Sequence, residues 1–403
     1  MSSLVAPRLR PSVNLEPILH EGRRSYALND RLQVAKEGLV LSPHLAAALS
    51  FFDGTRTDEM ISAAFTKHYG QILLPDAISQ LIGTLDDALL LDNERGRQAQ
   101  QAALTHYRNE TQRAPICAGS SYPDSITSLK RNLNVYLDQA KEANLRSASR
   151  AILSPHIDYA RGGHVYASAW KHIEAEAQAA KLVVIIGTDH YSNGLFTLTK
   201  QNFATPYGVL PTASAIVDGL AEAVGRKAAF ENELYHTIEH SLELPLIWLQ
   251  HLRNGEPCEI VPVLAGSFHA FYGGAGPMGD GRVTGFLDAL RTLTQGKRTL
   301  VIASGDMAHV GPAFDGDPLD DAAKAELRQS DQTLIAQLNA GDANGFFGEI
   351  AETHNENNIC GVSPFYLTLK HLGATRGQTL DYDMCPADDS NASVVTICST
   401  LMA

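Results

Sequence analysis

The chain contains the stretches AILSPH (151–156) and LVVIIGTDH (182–190), two apolar runs that each end on a histidine. A similar run, TLVI (299–302), is followed by Asp306 and His309. Short apolar runs of this kind are typical of buried strands in parallel sheets, and ligands bind at the carboxyl ends of such strands. Ligand-type side chains placed repeatedly at these ends predict one site assembled from distant parts of the chain.

Strand-like runs alternate with amphipathic helical patterns from about residue 124 onwards. The predicted strands lie near 151–155, 182–187, 259–265, 299–304, 380–384 and 393–398. The predicted helices lie near 165–180, 212–225, 241–253, 283–295, 321–339, 343–352 and 363–372. Alternation at this spacing predicts an α/β domain over residues 124–403, built around a central, mostly parallel sheet.

Residues 30–95 predict a small, separate helical module. Ser42 and Thr57 are favoured helix caps, and Pro75 is favoured in a first helical turn. Three short helices with small strand pieces indicate a winged-helix-like fold, and the pattern resembles PqqD-like peptide-chaperone modules. A packing domain or a dimerisation arm is the alternative. With the helix and linker that follow, the module is expected to occupy residues 1–115.

Composition narrows the class of protein. The net charge of −13 argues against nonspecific binding to nucleic acids or anionic membranes. No apolar run approaches the ~18 residues of a membrane-spanning helix, and the first residues carry no signal-peptide core. The five cysteines are sparse and unpatterned, so they predict no disulfide framework. We therefore expect a cytoplasmic protein without a nucleic-acid or membrane partner.

Three residues form a candidate metal site. Histidine and cysteine are typical ligands of iron, copper and zinc. His156, His190 and Cys360 provide two imidazoles and one thiolate, a triad that leaves positions open for substrate or dioxygen. Cys360 lies in a polar turn that leads into a predicted helix, and a helix N-terminus favours a thiolate. The alternatives are structural histidines and a cysteine that packs as a small apolar residue.

Asp306 and His309 form a second pair, three residues apart. His309 is a candidate general base, because the pKa of histidine lies near working pH. Asp306 is a candidate for orienting an imidazole or a substrate. The alternative for Asp306 is helix capping, because it follows a predicted strand and Asp is a favoured cap.

A competing motif occurs at 236–240. His236, Glu239 and His240 match H-x-x-E-H, the inverted zinc-peptidase signature. That reading requires the motif to lie within a helix, with a further carboxylate ligand downstream. The apolar pattern instead starts a helix later, at about Leu242. A zinc peptidase is therefore a minor alternative.

Together these segments resemble the Memo family, in the prokaryotic branch called AmmeMemoRadiSam system protein B. The matching stretches, in chain order, are Ser154-Pro155-His156 with Tyr159 and Gly162-Gly163, Ile186-Gly187 with His190, Glu239-His240-Ser241 with Glu243, Ser304 with Asp306 and His309, and Cys360-Gly361. They span about two thirds of the chain. The resemblance implies the fold of class III extradiol dioxygenases, which are non-haem iron enzymes with two histidines and a glutamate.

The resemblance also implies roles for individual residues. His156, His190 and Cys360 would be the metal ligands, with Cys360 in place of the dioxygenase glutamate. His309 would be the acid/base histidine, and the catalytic pocket would also be lined by Asp306 and His240.

One departure from the family pattern is Asp158, which stands where many members have glycine. It predicts an extra carboxylate directed towards the site.

The function expected from these residues is a metal-dependent oxidoreductase of the dioxygenase type, with Fe(II) as its cofactor and copper or zinc as alternatives. Its partners would be a small-molecule or peptide-linked substrate and, through the N-terminal module, a partner protein. Two other classes stay open. One is a Memo-like peptide- or copper-binding scaffold without turnover; the other is a zinc- or iron-dependent hydrolase that uses a metal-bound water.

Overall fold

The protein is described by a computed structural model that covers residues 5–145 and 147–403. The chain divides into two compact units, one up to Glu110 and one over Thr111–Ala403. None of the helices among the described residues is long and apolar enough to cross a lipid bilayer.

The N-terminal unit begins with a three-stranded antiparallel sheet of β1 (Val13–His20), β2 (Arg23–Asp30) and β3 (Leu39–Leu41), in the order β1-β2-β3. Glu21 and Gly22 connect β1 to β2 with φ values of 50° and 71°. Two positive φ angles produce the tight turn whose twist matches that of the flanking strands. The sheet begins before residue 30, so it is larger than the small strand pieces that the sequence indicates.

Helices follow the sheet. They are α1 (Pro43–Ala48), α2 (Asp58–Tyr69), α3 (Pro75–Asp87) and α4 (Glu94–Asn109). Ser42 and Thr57 accept backbone N–H bonds in the first turns of α1 and α2, as their sequence positions predict. Gly70 ends α2 in the left-handed conformation, with φ 67°. The unit has its own apolar core, whose fully buried members include Leu28, Ile61, Ile78, Leu85 and Leu90.

The C-terminal unit is built on an eight-stranded sheet. The strands of this unit among the described residues are β4 (Ala151–Ser154), β5 (Leu182–Thr188), β6 (Phe196–Leu198), β7 (Phe203–Thr205), β8 (Gly208–Leu210), β9 (Glu259–Ala265), β10 (Thr299–Ser304), β11 (His309–Val310), β12 (Gly377–Pro386) and β13 (Val394–Met402). The main sheet runs β11-β13-β4-β10-β5-β9-β6, with β12 also paired to β13. Strands β7 and β8 form a separate hairpin.

The sheet is mixed. Strands β4, β10, β5 and β9 are parallel to one another, whereas the sequence predicts a mostly parallel arrangement for the whole sheet. The pairings of β6, β11, β12 and β13 are antiparallel. The short outer strands β6 and β11 have too few residues to give a recognisable pattern. The long β12 is half-buried, whereas β4 and β5 are buried throughout, as expected for central parallel strands.

Helices cover both faces of this sheet. They are α5 (Ile126–Gln139), α6 (Tyr159–Trp170), α7 (Glu174–Ala179), α8 (Ser214–Val224), α9 (Arg226–Glu231), α10 (Glu243–Leu252), α11 (Gly281–Thr294), α12 (Asp321–Ala340), α13 (Ala343–Glu352) and α14 (Val362–Leu372). Alternate residues of β5 belong to different apolar cores: Val184 and Ile186 to one, Val183 and Ile185 to the other. Because neighbouring side chains on a strand point to opposite faces, these are the two faces of an α/β sandwich.

The segment before α5 belongs to the core of the C-terminal unit. The sequence places the α/β domain after a linker and starts it at residue 124. In the structure Arg113, Cys117 and Tyr122 are buried, and both Arg113 and Tyr122 hydrogen bond to Glu243 at the start of α10. The boundary between the two compact units lies after Glu110, so the C-terminal unit includes this segment.

This boundary can be tested with two truncated chains. A chain that begins at Thr111 should fold, whereas one that begins at residue 124 leaves the buried Glu243 carboxylate without Arg113 and Tyr122. Removing one partner of a buried ion pair costs about 3–5 kcal/mol. Thermal unfolding followed by circular dichroism should show a much lower midpoint for the shorter chain. Equal midpoints would place the boundary where the sequence pattern puts it.

Candidate metal centre

The two histidines of the site lie just after the carboxyl ends of strands in the central sheet. His156 follows β4, His190 follows β5, and Asp306 follows β10, which lies between the other two. Because the three strands are parallel, their carboxyl ends meet at one edge of the sheet. Cys360 comes from another part of the fold, immediately before Gly361, which is the N-cap of α14.

The three predicted metal ligands converge. One ligand atom of each of His156, His190 and Cys360 lies within 4.8 Å of the others. Nε2 of His156 is 3.2 Å from Sγ of Cys360, and the rings of His156 and His190 have centroids 5.0 Å apart. The structure therefore contains a group of two imidazoles and one sulfur that can hold a metal ion.

A buried carboxylate orients two of the imidazoles. Glu239 contacts both His190 and His240, and one of its oxygens is 3.1 Å and 3.2 Å from their Nδ1 atoms. It also accepts the backbone N–H groups of His190 and Ser241. A carboxylate on Nδ1 leaves Nε2 of the same ring for a metal, the arrangement common around protein metal sites. His190, Glu239 and His240 also lie close enough together to hold a metal ion, but the hydrogen bonds between them already explain why they are close.

His156 is oriented by a hydroxyl. The Ser304 hydroxyl donates to the backbone carbonyl of Ser241, so its oxygen is free to accept from Nδ1 of His156 at 3.3 Å. The backbone N–H of His156 donates to Asp306 at 2.8 Å. With Nδ1 protonated, the lone pair of Nε2 faces Cys360, so His156 also presents Nε2 to the site.

The loop that carries Cys360 packs backbone to backbone against the end of β10. A Cβ atom on Gly305 would lie 2.3 Å from Cα of Gly361, so only glycine fits there. The backbone N–H of Asp306 donates to Sγ of Cys360 at 3.1 Å, and Thr188 donates to the Cys360 carbonyl at 2.9 Å. These contacts hold the sulfur beside the histidines.

Charge interactions set the protonation of the metal-free site. Burial tends to lower the pKa of His190, but the carboxylate of Glu239 outweighs it, and that pKa lies well above its ordinary value. Burial and the neighbouring His190 and His240 hold the pKa of His156 well below its ordinary value. Burial raises the pKa of the Cys360 thiol. Burial tends to raise the pKa of Glu239, but His190 and His240 hold it well below its ordinary value.

Two of the predicted pocket residues, His240 and Asp306, lie beside this group. The ring of His240 has its centroid 5.0 Å from those of His156 and His190, and its side chain is 33% exposed. Nδ1 of His309 is 3.0 Å from the Asn358 carbonyl. One carboxylate oxygen of Asp306 is 3.8 Å from Nε2 of His156. Asp306 begins no helix, so the capping alternative is wrong.

Two other expectations can be compared with the structure: it agrees with a helix that starts after the H-x-x-E-H motif, and it corrects the direction of the Asp158 carboxylate. The H-x-x-E-H motif does not lie within one α-helix: Glu233–Thr237 is a 3-10 helix, and α10 begins only at Glu243. Nε2 of His236 hydrogen bonds to the Thr197 carbonyl instead of joining His240. Asp158 caps α6 and pairs with Arg161 at 2.6 Å, so its carboxylate is used outside the metal group.

Two groups in the site have roles that sequence reasoning did not assign. Glu239 lies in a recognised stretch, but only its contact with two imidazoles reveals its orienting role. Ser304 also lies in a recognised stretch, but only its hydrogen bond to His156 reveals its role.

Comparison with known proteins places the C-terminal unit in one family. The profile of the family described as Memo-like protein matches residues 113–400, most of the chain. A MEMO1 family protein of Aquifex aeolicus is 28% identical over 356 residues, which cover 86% of this chain and 87% of that protein. A protein memo-1 homolog of Caenorhabditis elegans is 26% identical over 298 residues, 70% of this chain and 78% of that protein.

The matches also bear on the N-terminal unit. A MEMO1 family protein of Methanosarcina barkeri is 26% identical over 279 residues, covering 67% of this chain and 91% of that protein. The Aquifex match covers 86% of this chain, more than the C-terminal unit holds, so it extends into the N-terminal unit. The family predicted from the metal-site stretches is confirmed: the chain belongs to the Memo-like protein family.

Proposed function

We propose that the protein is a metal-dependent oxidoreductase of the non-haem iron type, with Fe(II) held by His156, His190 and Cys360. The observation that carries the proposal is the convergence of two imidazole nitrogens and one sulfur within 4.8 Å. Two histidines and one anionic ligand leave coordination positions open, as in non-haem iron oxygenases. When bound, the ion would supply a redox-active centre that binds substrate and dioxygen.

In this proposal His309 moves a proton. Its Nδ1–H donates to the Asn358 carbonyl, which leaves the lone pair of Nε2 free to accept a proton from a substrate hydroxyl. Burial lowers the pKa of His309, so the ring is neutral, as a base must be, at neutral pH. The partly exposed ring of His240 is placed to bind the substrate, and the buried Asp306 steadies the backbone of His156.

The N-terminal unit, in the same proposal, is a PqqD-like, winged-helix-like module that binds a peptide or a partner protein. Its three-stranded sheet followed by helices supports this assignment. Strand β3 has a strand partner on one side only among the described residues, and Val40 within it is 48% exposed. An extended peptide can add to such an edge by main-chain hydrogen bonds. The substrate class is therefore a small molecule or a peptide-linked group.

A second candidate is a copper-binding protein without turnover. Two imidazoles with one thiolate are also the ligand set of copper electron-transfer sites. The same three side chains would hold the ion, and the peptide-binding role of the N-terminal unit would be unchanged.

Metal content distinguishes the candidates. We expect stoichiometric iron in the full chain after anaerobic purification, measured by elemental analysis. Stoichiometric copper would favour the second candidate, and stoichiometric zinc would favour a hydrolase that uses a metal-bound water. Protein that binds none of the three ions on titration would contradict a metal centre.

The role of the sulfur is tested by Cys360→Ser. A hydroxyl is a poor ligand for soft and borderline ions, so metal affinity should fall by more than the roughly 10–100-fold that loss of a supporting residue costs. Cys398→Ser is the matched control, because Cys398 is fully buried in β13 and burial raises its pKa to about 12. It should lose stability but keep metal affinity. Unchanged affinity in folded Cys360→Ser would return the search to carboxylate ligands.

Metal binding should release protons. In the metal-free protein the raised pKa of His190 keeps that ring protonated at neutral pH, and the raised pKa of Cys360 keeps it a thiol. Both groups must lose a proton to bind an ion, so affinity should fall as pH falls. Calorimetric titrations in buffers of different ionisation enthalpy should detect roughly two protons released per ion near pH 7. A buffer-independent enthalpy would show that the ligands are already deprotonated.

A further inference from the structure

The side chain of Arg113 hydrogen bonds to the turn that carries Glu239. Its side chain is 1% exposed. Nε donates to the His236 carbonyl at 2.9 Å, and Nη2 donates to the Glu239 carbonyl at 2.7 Å. The third donor, Nη1, pairs with the carboxylate of Glu243. One guanidinium therefore binds three points along the segment 236–243.

The partner of Arg113 is equally well fixed. Glu243 accepts the backbone N–H groups of Ile116 at 2.9 Å and Cys117 at 3.0 Å, and the Tyr122 hydroxyl at 2.6 Å. The segment 113–122 and the segment 236–243 are thus joined by a buried network in which both charges have hydrogen-bonding partners. A network of this kind holds its backbone rigidly, because opening it would leave a buried charge unpaired.

The network acts on the residue that orients the imidazoles. The carbonyl of Glu239 is held by Arg113, while its carboxylate is shared by His190 and His240. We infer that Arg113 is a positioning residue of the metal centre: it fixes the backbone of Glu239 so that both rings present Nε2 to the site. The inference rests on the proposed metal centre, and it assigns the buried ion pair a role beyond stability.

Positioning Glu239 in this way requires the planar guanidinium of arginine, whose N–H donors point in fixed directions. Lysine has a single ammonium on a flexible stem, and it cannot donate to both carbonyls and to Glu243 in one fixed plane. Arg113→Lys therefore keeps the charge opposite Glu243 but loosens the Glu239 turn. This variant separates positioning from charge.

The chain offers a matched control in Arg253. It lies in the same unit, is also buried, and donates to the backbone carbonyls of Ala177, Glu256 and Pro257. Arg253→Lys removes the same kind of contact from the C-terminal end of α10. It should lower stability in the way Arg113→Lys does without moving Glu239.

The test compares the two variants in the full chain. For Arg113→Lys we expect Co(II) affinity about tenfold weaker, as for loss of a supporting contact around a metal. In metal-free Arg113→Lys, NMR of isotope-labelled histidines should show that Nδ1 of His190 and Nδ1 of His240 are no longer held in a single hydrogen bond to Glu239. Arg253→Lys should match the unchanged chain in both measurements.

The possible outcomes separate this inference from the proposed function. A folded Arg113→Lys that keeps both Co(II) affinity and its histidine spectrum overturns the inference, as does the same loss in Arg253→Lys. If the unchanged chain binds no Co(II), the metal centre fails, and the histidine spectra alone decide the positioning role. Altered spectra in Arg113→Lys only would then support it, and unaltered spectra would overturn it.

Discussion

A single buried carboxylate determines which nitrogen of two imidazoles faces the candidate metal centre. Burying an ionised carboxylate costs several kcal/mol unless it is paired and hydrogen bonded. Glu239 meets that condition with two imidazoles and two backbone N–H groups, those of His190 and Ser241. Because these donors come from β5 and from the turn before α10, the carboxylate joins the sheet to its covering helices at the site itself.

A second constraint is steric. Gly305 and Gly361 approach so closely that the loop before α14 lies directly on the end of β10. Side chains on either residue would push the sulfur of Cys360 away from His156. The site is thus defined from two sides: a hydrogen-bonded carboxylate orients the rings, and a backbone contact sets the position of the sulfur.

Much of this arrangement could be predicted from the sequence, because apolar strands and capped helices are local patterns. The runs that became β5 and β10 and the helices α12 and α13 lie within a residue or two of their predicted limits. The convergence of His156, His190 and Cys360 was predicted from the placement of the histidines at strand ends and from the family resemblance. The antiparallel outer strands could not be predicted in the same way, since β6 and β11 are short and depend on their neighbours. The roles of Glu239 and Arg113 depend on contacts between distant segments, which no local pattern encodes.

Strand β13 contacts two of the segments that form the site, although it comes later in the chain than all three proposed ligands. It pairs with β4, which leads to His156, and its Thr396 hydrogen bonds to Met307 and Ala308, between Asp306 and His309. Residues 394–402 are synthesised after all three proposed ligands. A nascent chain that already contains both histidines and the cysteine still lacks the strand that braces two of the site's segments. Because domains fold as units, the segments that carry His156 and Asp306 reach their final positions only when β13 has paired with β4.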